Sequence, residues 1–230
     1  MPDPALSDTE MPGNALQDDP ADVEILTSDV VYTGAVWNIR QDTFAYNGEP
    51  IMREYTDHTG AVAILALDEK DRVLLIKQYR HPVRYRDWEI PAGLLDVTGE
   101  SPLAAAQREL AEEADLTAER WNVLSEFYTS PGGSDEAIRI YLARGLSATT
   151  PFARTAEEAD IEVRWVDLDT VVDAVLARAV QNPSLTVGVL AAHVAKSRAW
   201  AGLGPADAPW PRHPKLGRAQ TQKDAAAERL

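Results

Sequence analysis

Seven consecutive apolar residues, Ala61 to Leu67 (AVAILAL), leave this chain few folds to choose from. The run is far shorter than the ~18–20 residues that cross a bilayer, and a polar turn, Asp68 to Arg72, follows at once. A short strand with no polar alternation is buried on both faces, so it belongs inside a sheet covered above and below. The flanking pattern supplies the covers. Val73 to Tyr79 (VLLIKQY) reads as a second strand, and Val123 to Thr129, Ile138 to Ala143 and Glu162 to Val166 as further ones. Ser101-Pro102 opens a helix, with Ser as cap and Pro at the first helical position. Leu103, Ala106, Leu110 and Ala114 form its apolar stripe. Leu168 to Ala179 and Leu185 to Trp200 are predicted helices. Mixed elements of this kind predict an α/β fold, an α/β/α sandwich on a mixed sheet.

Ahead of that core, Trp37 to Tyr46 alternates, and Ile51 to Thr56 follows across an Asn47-Gly48 turn, which predicts a hairpin. Trp88 to Ala92 is predicted to be extended, because Pro91 pushes its predecessor out of the helical region.

Charge excludes some partners. The chain has 37 acidic against 22 basic residues, a net charge of −15. That argues against general nucleic-acid binding, which needs basic patches to displace counterions. Asp3, Asp8, Glu10, Asp18, Asp19, Asp22 and Glu24 fall in the first 24 residues, with no Lys or Arg and several prolines. This composition predicts a disordered acidic tail. Ala201 to Leu230 carries Pro205, Pro209, Pro211 and Pro214 and is predicted to be mostly irregular. With no cysteine, disulfides, thiolate zinc sites and a Cys nucleophile are excluded. The N-terminus lacks a basic segment followed by an apolar one, so no signal peptide is expected. A cytoplasmic protein with neither membrane nor nucleic-acid partner is the resulting expectation.

The chemistry concentrates in Arg108-Glu109-Leu110-Ala111-Glu112-Glu113. On a helix, Glu109, Glu112 and Glu113 share one face, roughly 5–6 Å apart at Cβ. Three carboxylates that close repel unless a cation lies between them, and hard Mg²⁺ or Mn²⁺ suits oxygen ligands. An ordinary solvated acidic face would show the same residues.

The wider spacing is more specific: Gly93, six residues, Glu100, seven residues, Arg108-Glu109-Leu110, one residue, Glu112-Glu113, one residue, Asp115-Leu116. It resembles the signature of the Nudix hydrolases. Two positions depart from it. The gap from Gly93 to Glu100 is one residue longer than the family's usual five, and Asp115 stands where the family has glycine. A loop can absorb the first, and Asp tolerates the left-handed conformation required by the second. By this resemblance Glu109, Glu112, Glu113 and the carbonyl of Ala92 hold Mg²⁺, with Mn²⁺ able to substitute. Arg108 and Glu100 form a bracing ion pair.

Other segments point to a subgroup. Pro131 lies in Thr129-Ser130-Pro131-Gly132-Gly133-Ser134-Asp135-Glu136, fifteen positions beyond Leu116. That placement resembles the catalytic loop of the ADP-ribose pyrophosphatases. Gly132-Gly133 predicts a mobile loop, and Glu136 is the expected general base, with Glu112 the fallback. Arg53-Glu54-Tyr55, Gln78-Tyr79-Arg80 and Trp88-Glu89-Ile90-Pro91-Ala92-Gly93 resemble the same group. They imply that Arg80 and Glu89 line the substrate cleft and that Arg53 reaches the ligand, with a dimer interface as one route. Trp37, Tyr79 and Trp88 could stack on adenine or belong to the core. The resemblance implies hydrolysis of ADP-ribose, or of a related nucleoside diphosphate sugar, to AMP and ribose 5-phosphate. The alternatives are a broader nucleotide-sugar hydrolase and a non-catalytic ligand-sensing module. Four segments follow: the acidic tail (1–24), a strand arm mediating homodimerisation (25–58), the catalytic domain (59–204) and the C-terminal tail (205–230).

Overall fold

The structure, a computed structural model, describes residue 16, residues 18–151 and residues 161–217. Most of the expected acidic tail lies outside the described residues. Its end does not: Asp18 pairs with Arg212 at 2.7 Å.

The apolar run becomes β4 (Ala61–Ala66), with every residue buried. It sits between β9 (Ala137–Ala148), parallel to it, and β7 (Ala92–Leu94), antiparallel. β8 (Leu116–Tyr128) and the two-residue β11 (Gly204–Pro205) complete a mixed sheet ordered β11-β8-β9-β4-β7. Side chains along β4 point alternately to the two faces. Val62, Ile64 and Ala66 join Ala105, Ala106 and Leu110 of α1 (Pro102–Ala114). Ala61, Ala63 and Leu65 join Leu168, Val171 and Val172 of α2 (Leu168–Leu176) and Leu185, Val189 and Ala192 of α3 (Pro183–Ser197). The strand is apolar on both sides because a helical layer covers each one. Burial of each large aliphatic side chain stabilises by about 1.5–3 kcal/mol.

A second sheet, ordered β10-β5-β6, comprises β10 (Glu162–Asp167), β5 (Arg72–Arg80) and β6 (Tyr85–Glu89). The arm is a third, antiparallel sheet of β1 (Ile25–Thr33), β2 (Asn38–Tyr46) and β3 (Glu49–Asp57). The expected turn joins β2 to β3, with Asn47 and Gly48 both at positive φ (52° and 84°), the geometry that a two-residue hairpin loop favours. Every residue of β1 is exposed.

Several boundaries differ from expectation: β8 and β9 are longer, and α2 ends earlier, at Leu176. Trp88 to Ala92 is not one segment: β6 ends at Glu89 and pairs with β5, while β7 begins at Ala92 and pairs with β4. Pro91 has no N–H to extend the ladder, and its carbonyl accepts from Ile64 N–H at 2.7 Å, so the chain switches sheets there. α3 begins two residues earlier than expected, at Pro183, because Asn182 caps it by accepting from Leu185 N–H at 3.0 Å. The described part of the C-terminal tail is irregular but packed, since Trp210 and His213 are buried. Among the described residues no helix is long and apolar enough to cross a membrane.

Candidate active site

Both ends of α1 are fixed by local chemistry. Ser101 Oγ accepts from Ala104 N–H at 3.2 Å, satisfying one of the orphan donors of the first turn. At the other end Asp115 adopts φ 53°, ψ 37°, and its N–H donates to the carbonyls of Ala111 and Leu110. The Asp in the family's glycine position therefore performs the glycine's turn. The longer Gly93-to-Glu100 loop turns at Gly99, φ 83°.

α1 docks its carboxylates on β7. A Cβ placed on Gly93 would lie 2.0 Å from Cδ and Oε1 of Glu109, so Glu109 occupies the space that only a glycine leaves open. One turn later Glu113 Oε2 accepts from Ala92 N–H at 2.9 Å. Glu113 is 5% exposed, lying on the same side of the helix as Ala106 and Leu110. Burial pushes its carboxyl up to about 8, with the charge of nearby Glu109 adding to the shift. The expected acidic face is therefore not uniformly wet.

Arg108 ties the cluster together. Its Nε and Nη2 donate to Glu100 at 3.0 Å each, and its Nη1 donates to Glu109 and Glu112. The expected brace between Arg108 and Glu100 is present, and so is the local contact with Glu112.

Arg80 and Glu89 also belong to this cluster. Arg80 grips Glu89 through Nε at 2.7 Å and Nη2 at 2.6 Å, and Gln78 adds a bond at 3.3 Å. Glu89 is only 2% exposed, so it anchors the guanidinium rather than presenting its own oxygens. Both charges act on Glu113. Arg53 lies elsewhere: it donates to Met52 O at 2.8 Å and lines a cavity on the arm side. Of the aromatic candidates, Trp37 stacks on His58 with ring centroids 4.2 Å apart. Trp88 is partly buried and meets the cations of Lys77 and Arg164. Tyr79 is half exposed and hydrogen-bonded to His81.

Glu136 stands just before β9. Ala61 pairs with Ile138 on one side and Leu94 on the other, which puts Glu136 at the end of the sheet from which β7 leads on towards α1, with β9 and β7 two strand spacings, about 10 Å, apart. Glu136 Oε2 accepts from the Thr129 hydroxyl at 2.6 Å, and Oε1 lies 3.2 Å from His58 Nε2. The Gly132-Gly133 loop is tied down: Thr56 N–H donates to Gly133 O at 2.9 Å, Asp135 N–H to Thr56 O at 3.2 Å, and His58 N–H to Asp135 Oδ1 at 2.7 Å. Sequence reading places His58 at the border of the cleft without assigning it a role, and gives Thr129 none. The one local signal is the turn glycine, Gly60, at φ 85°.

A cavity of about 890 Å³ lies on the arm side of this loop, lined by Arg40, Arg53, Tyr55, Pro131 to Asp135 and Lys215, among others. The α1 carboxylates do not line it, so the candidate site is marked by its chemistry rather than by this cavity. The oxygen-only donor set, with Glu113 buried beside Glu109, fits a hard divalent cation. Among the described residues no three acidic or His side chains already gather closely enough to enclose one. Arg108 engages Glu109 and Glu112, while Ala92 N–H engages Glu113.

A carboxylate helix seated on the glycine of edge strand β7, beside a mixed sheet covered by helical layers, is the arrangement of a Nudix-type hydrolase. The comparisons agree. The family model of the NUDIX domain matches residues 57–185. An ADP-ribose pyrophosphatase of Mycobacterium tuberculosis is 41% identical over 190 residues, covering 82% of this chain and 91% of that one. An ADP-ribose pyrophosphatase of Bacillus subtilis is 35% identical over 158 residues, covering 68% of this chain and 85% of that one. A crystal structure of an ADP compounds hydrolase shares the fold, with TM-score 0.61 and 18% identity, over 80% of this chain and all of that one. The chain belongs to the Nudix family and is a hydrolase.

Proposed function

We propose that this protein hydrolyses the pyrophosphate bond of ADP-ribose to AMP and ribose 5-phosphate with the help of divalent cations, Mg²⁺ or Mn²⁺. The observation that carries the reaction class is the seating of Glu109 over Gly93 and of Glu113 against Ala92 N–H. The two ADP-ribose pyrophosphatases, each matched along most of its length, support the substrate.

In this reading Glu109, Glu112, Glu113 and the carbonyl of Ala92 hold the cations. Bound there, the metal supplies neutralisation of pyrophosphate charge and a more acidic water. Arg108 keeps Glu109 and Glu112 oriented by bridging both to Glu100. Arg80, held rigid by buried Glu89, faces the anionic substrate with a planar donor set. Glu136 takes the proton of the attacking water. The exposed β1 carries Ile25, Leu26, Val30, Val31 and Tyr32 at its surface. That apolar surface supports the arm as a homodimer element, through which Arg53 would reach the partner's substrate.

The test is a substrate panel with product separation, with and without Mg²⁺. AMP and ribose 5-phosphate formed only with metal, and ADP-ribose preferred in kcat/KM over other nucleotide sugars, is the expected result. Intact ADP-ribose after incubation with Mg²⁺ or Mn²⁺ would refute the proposal.

A further inference from the structure

The catalytic reading leaves His58 without a task, yet His58 is 5% exposed and bonded on every side. Its backbone N–H donates to Asp135 Oδ1 at 2.7 Å, one residue before Glu136. Its ring stacks on Trp37 with an interplanar angle of 20°. Its Nδ1 accepts from Gly60 N–H at 2.9 Å. An acceptor Nδ1 carries no proton, so the neutral ring holds its proton on Nε2. That nitrogen faces Glu136 Oε1 at 3.2 Å. Burial also holds His58 below its ordinary pKa, which favours the neutral ring.

The turn that carries His58 is itself braced. Gly60 has φ 85°, and a Cβ there would lie 2.1 Å from His213 Nε2. Asp57 is gripped by Arg40 at 3.0 Å and by Lys215 at 2.7 Å. The C-terminal segment therefore packs behind the turn and leaves the imidazole little freedom to move. On the far side of Glu136, the Thr129 hydroxyl donates to Oε2 at 2.6 Å. One carboxylate oxygen thus accepts a hydrogen bond, and the other lies within ion-pair distance of the imidazole on the opposite flank.

We propose that His58 is a positioning residue: its Nε2–H, with the Thr129 hydroxyl, fixes the orientation in which the Glu136 carboxylate takes the proton of the attacking water. This rests on the reading of Glu136 as the base. A carboxylate held at both oxygens keeps one rotamer, and a base that needs no reorientation loses less on reaching the transition state. Supporting partners of this kind are typically worth about 10–100-fold in activity.

The test is a double-mutant cycle on the full chain with Mg²⁺ and ADP-ribose. His58→Phe keeps a ring against Trp37 and removes the donor. It is expected to lower kcat by about 10–100-fold with KM changed less than about twofold. His58→Gln, which retains an N–H near the Nε2 position, should recover most of that loss. In a Glu136→Gln background His58→Phe should cost little more, because the oriented base is already absent. An equal loss in both backgrounds, or a loss confined to KM, overturns the proposal. Should His58→Phe fail to fold, Thr129→Val runs the same cycle from the other oxygen, with the same outcomes. ¹H–¹⁵N spectra of the metal-free protein give an independent readout: the Nε2–H tautomer is expected, and an Nδ1–H tautomer overturns the proposal. If Glu136→Gln alone keeps near-native kcat, the base assignment falls and this inference with it. An additive cycle with an impaired Glu136→Gln sinks only the role of His58.

Discussion

Gly93→Ala isolates what the glycine at the centre of β7 does. A Cβ at Gly93 would lie 2.0 Å from Glu109 Cδ and Oε1 and 2.5 Å from Cγ. Ordinary contact begins near 3.4 Å, so the Glu109 carboxylate must retreat by about 1.4 Å. The three nearest atoms all belong to Glu109. The obstructed atoms are the end of a flexible side chain, and Gly93 does not sit at positive φ. Alanine also narrows the unfolded ensemble relative to glycine, which stabilises by about 0.4–1 kcal/mol at compatible sites. Fold and function should therefore separate. A misplacement on the scale of 1 Å near the reacting centre costs about 100-fold, or about 2.7 kcal/mol of barrier. The expected result is a roughly 100-fold fall in kcat for AMP release, weaker Mn²⁺ binding by titration, and an unchanged or slightly higher Tm. A near-native rate would refute the reasoning, because Glu109 would then not need its seat on Gly93. A large drop in Tm would refute it differently, by showing that the glycine serves packing.

Three further predictions concern the same cluster and its braces. The carboxyl of Glu113, pushed up to about 8, is protonated in the metal-free folded protein over a range in which the unfolded chain is ionised. Unfolding then releases a proton, so stability in EDTA should fall as pH rises from about 4.5 to 8; Glu113→Gln should flatten that slope in Tm scans, and an unchanged slope would count against it. Burial pushes His213 down to about 4, the opposite case: its stabilising effect is present above its ordinary value and is lost as pH falls from about 6.5 towards 4. His213→Gln should remove that acid-side decline, and persistence of the full decline would show that other groups cause it. Arg108→Lys loses the two-pronged grip on Glu100 and one of the bonds to Glu109 and Glu112. Activity should drop by about 10–100-fold with little change in Tm, and a rate within twofold of native would show that the fork is dispensable.

The sequence by itself determined the layers, because burial on both faces forces an unbroken apolar run and AVAILAL has no polar face to offer solvent. It also determined which carboxylates share a helix face, since spacing along α1 is set by the helical repeat. The departure at Asp115 was legible for the same reason, as a helix C-terminus needs one left-handed residue and Asp accepts that geometry. Only the tertiary structure decided how the three glutamates differ. Spacing along the helix gives Glu109, Glu112 and Glu113 the same face, and only the family resemblance ranks Glu109 and Glu113 ahead of Glu112 as ligands. The register of α1 on β7 then buries Glu113 against Ala92, seats Glu109 over Gly93 and leaves Glu112 at the rim with Arg108. The pairing of Glu136 with His58 was equally invisible, because it joins the end of the arm to the start of β9 and depends on β4 and β9 lying parallel. The C-terminal segment looked irregular because it lacks a repeating hydrogen-bond pattern. Its order comes instead from contacts with distant residues: Arg139 donates to the carbonyls of Ala208 and Pro209 and lies over Trp210. Local periodicity records which way a side chain points, and only the packing of distant segments fixes what it meets there.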